Sequence, residues 1–435
     1  MNPVSLAGHI LELLEILQQD QRPADHLIDN FFRSRRYLGA HDRRTLAETV
    51  YGILRHRRLL QALVARVQPT SASDPVWWLA AYKLHVEKAA VPAVAAALAN
   101  PTRWPTTPTL TELMQLAEQT PEDFAANPGI LLSFPDWLVE ELQNQHGEQE
   151  AWRLLHALNQ PPPLTIRVNT LKTTREACQQ ALQQRGYAST PTRFSPFGLQ
   201  LTQRTNLFAL DLFRDGWFEV QDEGSQIISL LLDPKPTWRI ADVCAGGGGK
   251  TLHLASLMKN RGEIFAFDVS AKRLTNLQRR SRRSGAHNIR VHALPEGELL
   301  EHLLGKLDAI LIDAPCSGSG VLRRNPDAKW KITAAMVKEL AAKQQHLLQH
   351  YTRLLKPGGR LVYATCSVLA QENEQVVQAF LTSSPDFQEE DAAAILQHYQ
   401  LEVLAAGHAV PLLPHRHGCD GFFAAVMTRR QRGTV

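Results

Sequence analysis

Two cysteines close two apolar runs. Residues 310–320 read ILIDAPCSGSG, so the run Ala309–Ile312 passes into Asp313, then into Pro315-Cys316 and a loop of serine and glycine. A second run, Arg360–Ala364, ends in Thr365-Cys366-Ser367. Apolar runs of this length that stop at turn residues read as buried parallel strands, and ligands of such sheets lie beyond the strands' carboxyl ends. One sheet edge therefore receives two thiols and a carboxylate. A thiolate is a nucleophile suited to covalent catalysis, and positive charge or a helix N-terminus beside it raises its thiolate fraction. Position alone does not divide the work between Cys316 and Cys366. Taken alone, Asp313 would be a strand-end acid capping its own turn; between two thiols it is expected to face a substrate.

A second constellation lies upstream. The apolar strand Arg239–Val243 runs into Cys244-Ala245-Gly246-Gly247-Gly248-Gly249-Lys250-Thr251. Glycines between strand and helix let a ligand approach the backbone closely. A phosphate loop of the form Gly-x-x-x-x-Gly-Lys-Ser/Thr fails at its first position, which is Cys244. The dinucleotide spacing Gly-x-Gly-x-x-Gly fails at its third, which is Thr251. The next strand, Glu263–Phe267, ends in Asp268, where an acid can accept hydrogen bonds from both hydroxyls of a ribose. A glycine loop after one strand and an acid at the end of the next describe a site for S-adenosylmethionine, made of Cys244, Ala245, Gly246, Gly247, Gly248, Gly249, Lys250, Asp268 and Asp313.

The surrounding elements must hold these loops. From Trp238 onward, strand, turn and helix alternate, which predicts a doubly wound parallel sheet over 236–430. Before it, the stretches Leu164–Val168, Gly198–Leu201 and Trp217–Gln221 read as strands and Thr173–Arg185 as a helix, a small α+β unit within 131–235 that opens on a helix over Asp136–Asn159. The first 130 residues carry apolar stripes at helical spacing: Ile10, Leu11, Leu13, Leu14 and Leu17; Leu27, Ile28, Phe31 and Phe32; and Leu46, Val50, Ile53, Leu54, Leu60 and Leu63. They predict an all-helical domain. The linker QTPEDFAANPGILLSFP, beginning at Gln119, holds three prolines and no helical period.

A chain of 435 residues with 44% hydrophobic and 21% charged residues is a multidomain globular protein. Five widely spaced cysteines without a Cys-x-x-Cys pair predict neither a disulfide framework nor a metal site. No apolar run reaches the roughly 18–20 residues of a membrane helix, and no secretory signal opens the chain, so a cytoplasmic protein without a membrane partner is expected. The net charge is only +4, but basic residues cluster. Arg33, Arg35, Arg36, Arg43, Arg44, Arg55, Arg57 and Arg58 recur along the N-terminal helices. Lys272, Arg273, Arg279, Arg280, Arg282 and Arg283 follow Asp268, and Arg323, Arg324, Lys329 and Lys331 surround Trp330. Arginines beside an aromatic suit phosphate contact with base stacking, so each cluster is expected to meet a nucleic acid.

Together the motifs resemble a known family. DVCAGGGGKT, LIDAPCSGSG, RRNPDAKW and VYATCSV, with RVNTLK at 167–172, QDEGSQ at 221–226 and HRHGCDGFF at 415–423, are similar to those of the RNA cytosine 5-methyltransferases of the Sun/Fmu (RsmB/Nop) family. The first 130 residues resemble the domain related to antitermination factor NusB that precedes the catalytic part in ribosomal RNA members. The resemblance implies a Rossmann-like methyltransferase domain using S-adenosylmethionine and acting as a monomer on RNA, 16S ribosomal RNA above others. A transfer RNA enzyme of the same chemistry, and a non-catalytic RNA-binding or assembly factor, are the alternatives. It also implies that Cys366 is the nucleophile, that Cys316 serves product release and that Asp313 holds the cytosine edge. Two departures stand out. The family's CAAPGGK is CAGGGGK here, and its Gly-Asp after the third strand, whose acid would contact the adenine amine, is replaced by Ala293-Leu294-Pro295, with Glu296 as the substitute acid.

Overall fold

The computed structural model describes residues 1–20, 22–99, 105–119, 124, 126–203, 205–295 and 297–431. The chain divides into two compact units, Met1–Pro161 with Leu322–Ile332, and Pro162–Val321 with Thr333–Val435.

The first unit is helical: α1 (Pro3–Gln19), α2 (Ala24–Ser34), α3 (Ala40–Val67), α4 (Pro75–His85), α5 (Val91–Ala97), α6 (Thr107–Gln119), α7 (Pro128–Leu131), α8 (Asp136–His146) and α9 (Glu148–Leu158). Asn2 caps α1 by accepting the Ser5 N–H, and Asp74 caps α4 ahead of Pro75. The apolar stripes face one core, in which Ile10, Leu13, Leu46, Val50, Ile53 and Leu60 are fully buried. Gly52 lets α4 close on α3, since a Cβ there would lie 2.1 Å from the Tyr82 hydroxyl. The single helix expected over Asp136–Asn159 is two helices, because Gly147 at φ +78° turns the chain between α8 and α9. Of the expected linker, residues 120–123 and 125 lie outside the described residues; its later part forms α7, capped by Asn127.

The segment Leu322–Ile332 is built into this helical unit, contrary to its reading as an RNA-contacting strip. Lys329 is buried, donates to the Arg55 carbonyl (2.7 Å) and to Asn159 Oδ1 (2.9 Å), and lies over the Phe134 ring. Burial pushes its ammonium well below the usual lysine range. Trp330 donates its indole N–H to the Leu54 carbonyl, and Arg57 lies over the rings of both Trp78 and Trp330. Buried Arg323 accepts from Arg55 through its carbonyl, and Asp327 caps α2 from a distance by accepting the Ala24 N–H. The arginines of the helices are also used internally. Arg58 forks onto Asp136 (2.6 and 2.8 Å) and reaches the Phe134 carbonyl, Arg43 donates to the Leu38 carbonyl, and Arg44 pairs with Glu48.

The second unit carries two sheets. The smaller is antiparallel, with β1 (Leu164–Val168), β2 (Ser189–Pro191), β3 (Gly198–Leu201) and β4 (Phe218–Val220) in the order β2-β3-β1-β4, and α10 (Arg175–Gln184) packs on it. After α11 (Glu223–Leu231), the larger sheet follows with β5 (Arg239–Val243), α12 (Gly249–Leu257), β6 (Glu263–Asp268), α13 (Ala271–Ser284), β7 (Ile289–Ala293), β8 (Leu307–Asp313), α14 (Ala334–Tyr351), β9 (Leu355–Thr365), α15 (Glu374–Ser383), β10 (Phe387–Glu389), β11 (Ala409–Leu412) and β12 (Phe422–Arg429). Its order is β10-β12-β9-β8-β5-β6-β7, with β11 beside β12. Strands β5 to β9 are parallel, and β12 runs antiparallel to β9. The chain goes outward from β5 to β6 and β7, then returns to β8 on the other side. The carboxyl ends of β5 and β8 therefore flank the topological switch point, where such sheets bind ligands. Ile310, Ile312, Leu361 and Tyr363 are fully buried, as strands covered on both faces require.

Candidate active site

Strands β8 and β9 are neighbours in register, Asp313 opposite Ala364, so their following loops emerge side by side. The Cys316 and Cys366 sulfurs lie 3.2 Å apart, and the Cys366 N–H points at the Cys316 sulfur (3.3 Å). Both thiols are part-buried and neither forms a disulfide. The hydrogen bond with Cys366, then burial, then the nearby Glu372 carboxylate push the Cys316 thiol well above its ordinary value, so Cys316 keeps its proton.

The loops are fastened by residues that the sequence motifs did not single out. Glu372 is fully buried and accepts from the Ser317 N–H (2.7 Å), the Ser317 hydroxyl and Gln344 (3.2 Å), while Gln344 also donates to the Pro315 carbonyl. On the other loop Thr365 donates to Asn373, and Asn373 donates to the Ser367 carbonyl. Gly320 joins the two, donating its N–H to the Cys366 carbonyl (2.9 Å) and accepting from Gly421. A Cβ on Gly320 would stand 2.1 Å from the Gly421 carbonyl oxygen, so no other residue fits. The signal for Glu372 was faint: one acid six residues beyond Cys366.

Lys250 rises from the first turn of α12 and pairs with Asp313 at 2.6 Å. Burial alone would lower its pKa, but the charge and hydrogen bond of Asp313 win, and the net shift is upward. Cys366 is among the groups that Lys250 faces electrostatically. One turn of chemistry deeper, Asp242 at the end of β5 accepts from the Thr251 hydroxyl (2.5 Å), while its other carboxylate oxygen is buried without a hydrogen-bond partner. Burial pushes its carboxyl up to about 7. Cys178 and Cys419 are buried, and burial pushes both thiols up.

The cofactor loop is shaped as a cradle. Cys244, Gly246 and Gly248 have positive φ (+62°, +56° and +84°), and the chain turns so sharply that Gly248 meets Leu277 of α13 where a Cβ would be. Above Gly246 there is room, since a Cβ there would meet nothing closer than 3.9 Å. Asp268 accepts the Gly246 N–H through one oxygen (2.9 Å) and the Ser270 N–H through the other (2.7 Å). Each oxygen retains a lone pair, which suits ribose hydroxyls. Buried Arg167 ties the small sheet to this loop, donating to Gln221 (2.6 Å) and toward the Gly249 carbonyl (3.4 Å). Burial and the neighbouring acids, Asp313 first, push the Cys244 thiol up to about 12. Glu296 lies outside the described residues; just past β7, Leu294 donates its N–H to the Asp268 carbonyl, and Pro295 follows it.

A parallel sheet with a glycine cradle at its switch point and an acid closing the next strand defines an S-adenosylmethionine-dependent methyltransferase domain. Residues 229–428 match the model of the 16S rRNA methyltransferase RsmB/F family, and residues 134–207 match its ferredoxin-like domain. The probable ribosomal RNA small subunit methyltransferase B of Synechocystis is 35% identical over 88% of this chain and 90% of its own length. Its namesake from Bacillus subtilis is 32% identical over 68% of this chain and 67% of its own. A solved methyltransferase homolog from Pyrococcus horikoshii is 30% identical, with a TM-score of 0.60 over 70% of this chain and 98% of that one. The chain belongs to the RsmB/F methyltransferase family, and its cofactor is S-adenosylmethionine. Among the described residues no helix is long and apolar enough to cross a membrane.

Proposed function

We propose that this protein methylates carbon 5 of a cytosine in small-subunit ribosomal RNA, in the cytoplasm, through a transient bond between Cys366 and the base. The observation that carries the reading is the contact of two strand-end thiols beside an ion-paired Lys250–Asp313. Carbon 5 of cytosine is a poor nucleophile, and addition of a thiolate at carbon 6 makes it an electron-rich, enamine-like centre. The family resemblance assigns that addition to Cys366, and Cys316 retains a proton. Gly246–Gly249 and Asp268 would hold S-adenosylmethionine, which would supply an electrophilic methyl group and leave as S-adenosylhomocysteine.

Asp313, at the mouth of the crevice, accepts from the base edge and favours a protonated ring nitrogen, which draws electrons from carbon 6. Release then needs a base to take the carbon 5 proton, so that the C–H electrons restore the ring double bond while the carbon 6–sulfur pair leaves with the Cys366 sulfur. The Cys316 sulfur, 3.2 Å from the departing Cys366 sulfur, stands where it can assist that elimination. A non-catalytic assembly factor would have no use for these paired thiols.

The test is methylation of 16S ribosomal RNA with labelled S-adenosylmethionine, followed by nucleoside mass spectrometry. The expected product is 5-methylcytidine. Label in another nucleoside, or on cytosine N4, would overturn the assignment.

A further inference from the structure

Basic residues in the second unit have a different fate from those in the first. Helix α13 carries six lysines and arginines and no acid. Leu274, Leu277 and Ser284 are its buried side. On the reverse side, Lys272 and Arg279 are about two turns apart, seven residues along, with Arg282 three further on; all three are exposed, as is Arg273. Arg280 and Arg283 are turned inward instead, sharing the buried Glu219, and Arg280 also holds the Gly247 carbonyl. The inward pair thus has a structural use, and the outward set has none of those bonds.

Two further features single out this face. Lys272 and Arg273 stand in the helix's first turn with no acid there, and the helix dipole disfavours cations at that end. A face selected only for solubility would carry mixed signs, as α3 does with Arg44 and Glu48. Second, the exposed Lys172 is brought to the far end of the helix. A Cβ on Gly285, the residue that ends α13, would lie 3.1 Å from Lys172 Cε. The position is enforced by buried Asn169, whose amide donates to the Ser284 and Gly216 carbonyls (2.8 Å each). The small sheet and α13 therefore present one cationic track, beginning beside the strand end that carries Asp268.

We propose that this track, Lys272–Arg279–Arg282–Lys172, binds the phosphodiester backbone of the RNA whose base enters the active site. The proposal rests on the RNA reading given above. Cations recurring along about 20 Å of helix suit a polyanion, and neutralised phosphates release counterions on binding.

The test compares the wild type with the triple variant Lys272→Gln, Arg279→Gln, Arg282→Gln, all exposed positions. Binding of a 16S ribosomal RNA fragment and of S-adenosylmethionine are measured from 0.05 to 0.3 M salt, with KM and kcat for methylation. The expected result is RNA affinity lowered about tenfold or more, a log–log salt slope shallower by about 2, and unchanged kcat and S-adenosylmethionine affinity. Unchanged RNA affinity and slope in the variant would overturn the track. Loss of binding to phosphatidylglycerol vesicles with RNA binding intact would overturn it in favour of a membrane surface. A wild type that neither binds nor methylates RNA would instead sink the RNA reading itself. Lys172→Gln added to the triple variant should lower the slope again; no further change would remove Lys172 from the track.

Discussion

The loops after β8 and β9 both offer a cysteine to the same crevice, yet they are held differently. The Cys316 loop is anchored by a buried carboxylate, Glu372, with three donors converging on it, and Cys316 keeps its proton. The Cys366 loop is anchored by the neutral pair Thr365–Asn373, and its sulfur faces Lys250. Two identical side chains 3.2 Å apart thus sit on loops with different anchors, one a buried carboxylate and the other a neutral hydroxyl–amide pair. Division of labour between like residues is set by what stands behind them.

The largest effect that would break this comparison is expected from Cys366→Ala. Methyl transfer should fall by about a thousandfold or more while S-adenosylmethionine binding, by calorimetry, stays near wild type. Turnover retained in that variant would hand the nucleophile's role to Cys316.

A smaller effect should come from Glu372→Gln. The carboxylate accepts from Ser317 and Gln344, and an amide would turn its own NH₂ toward one of those donors. The cost is about 1–3 kcal/mol, or a melting temperature lower by several degrees on the order of 2–4 °C per kcal/mol. Because the strain falls on the Cys316 loop, product release should slow more than cofactor binding weakens. Equal loss of both would show that Glu372 supports the whole sheet edge and not one cysteine.

The remaining effect lies at Asp242 and is read in stability against pH, not in methyl transfer. Its folded pKa, about 7, is above that of an unfolded aspartate, about 3.9. The folded chain therefore holds this proton more tightly, and the stability it contributes is full below the unfolded pKa and lost as pH rises toward 7. Each unit in that window removes up to about 1.4 kcal/mol. Asp242→Asn, whose amide oxygen can still accept from Thr251, should flatten the decline of apo-protein stability between pH 4 and 7. An unchanged slope in urea titrations would place the proton elsewhere.

Much of the fold was legible in the sequence because buried parallel strands are apolar throughout and end in turn residues. The strands ending in Cys244, Asp268, Asp313 and Cys366 were visible for that reason, and so were the helical stripes of the first unit. What charge alone could not reveal was its use. Arg323, Lys329 and Trp330 have the composition of a nucleic-acid strip, yet Arg323 and Lys329 are buried and Trp330 bonds to the Leu54 carbonyl, because an ammonium can be held by carbonyls and a ring face as well as by phosphate. Helix α13 has the same composition and an exposed face. Nor was the break at Gly147 legible, since one glycine inside an apolar helical period costs only about 1 kcal/mol and is often tolerated. Glu372 escaped notice because its partners are a loop serine and a glutamine on α14, neighbours only in the folded chain.

The central claim is that Cys366 forms the bond to cytosine and Cys316 breaks it, and one variant addresses it most directly. Cys316→Ala removes the release step and leaves addition and methylation intact. Mixed with substrate RNA and S-adenosylmethionine, it should accumulate a protein–RNA adduct that survives denaturing electrophoresis, and the double variant Cys316→Ala, Cys366→Ala should form none. An adduct that appears in Cys366→Ala and is absent from Cys316→Ala would contradict the assignment.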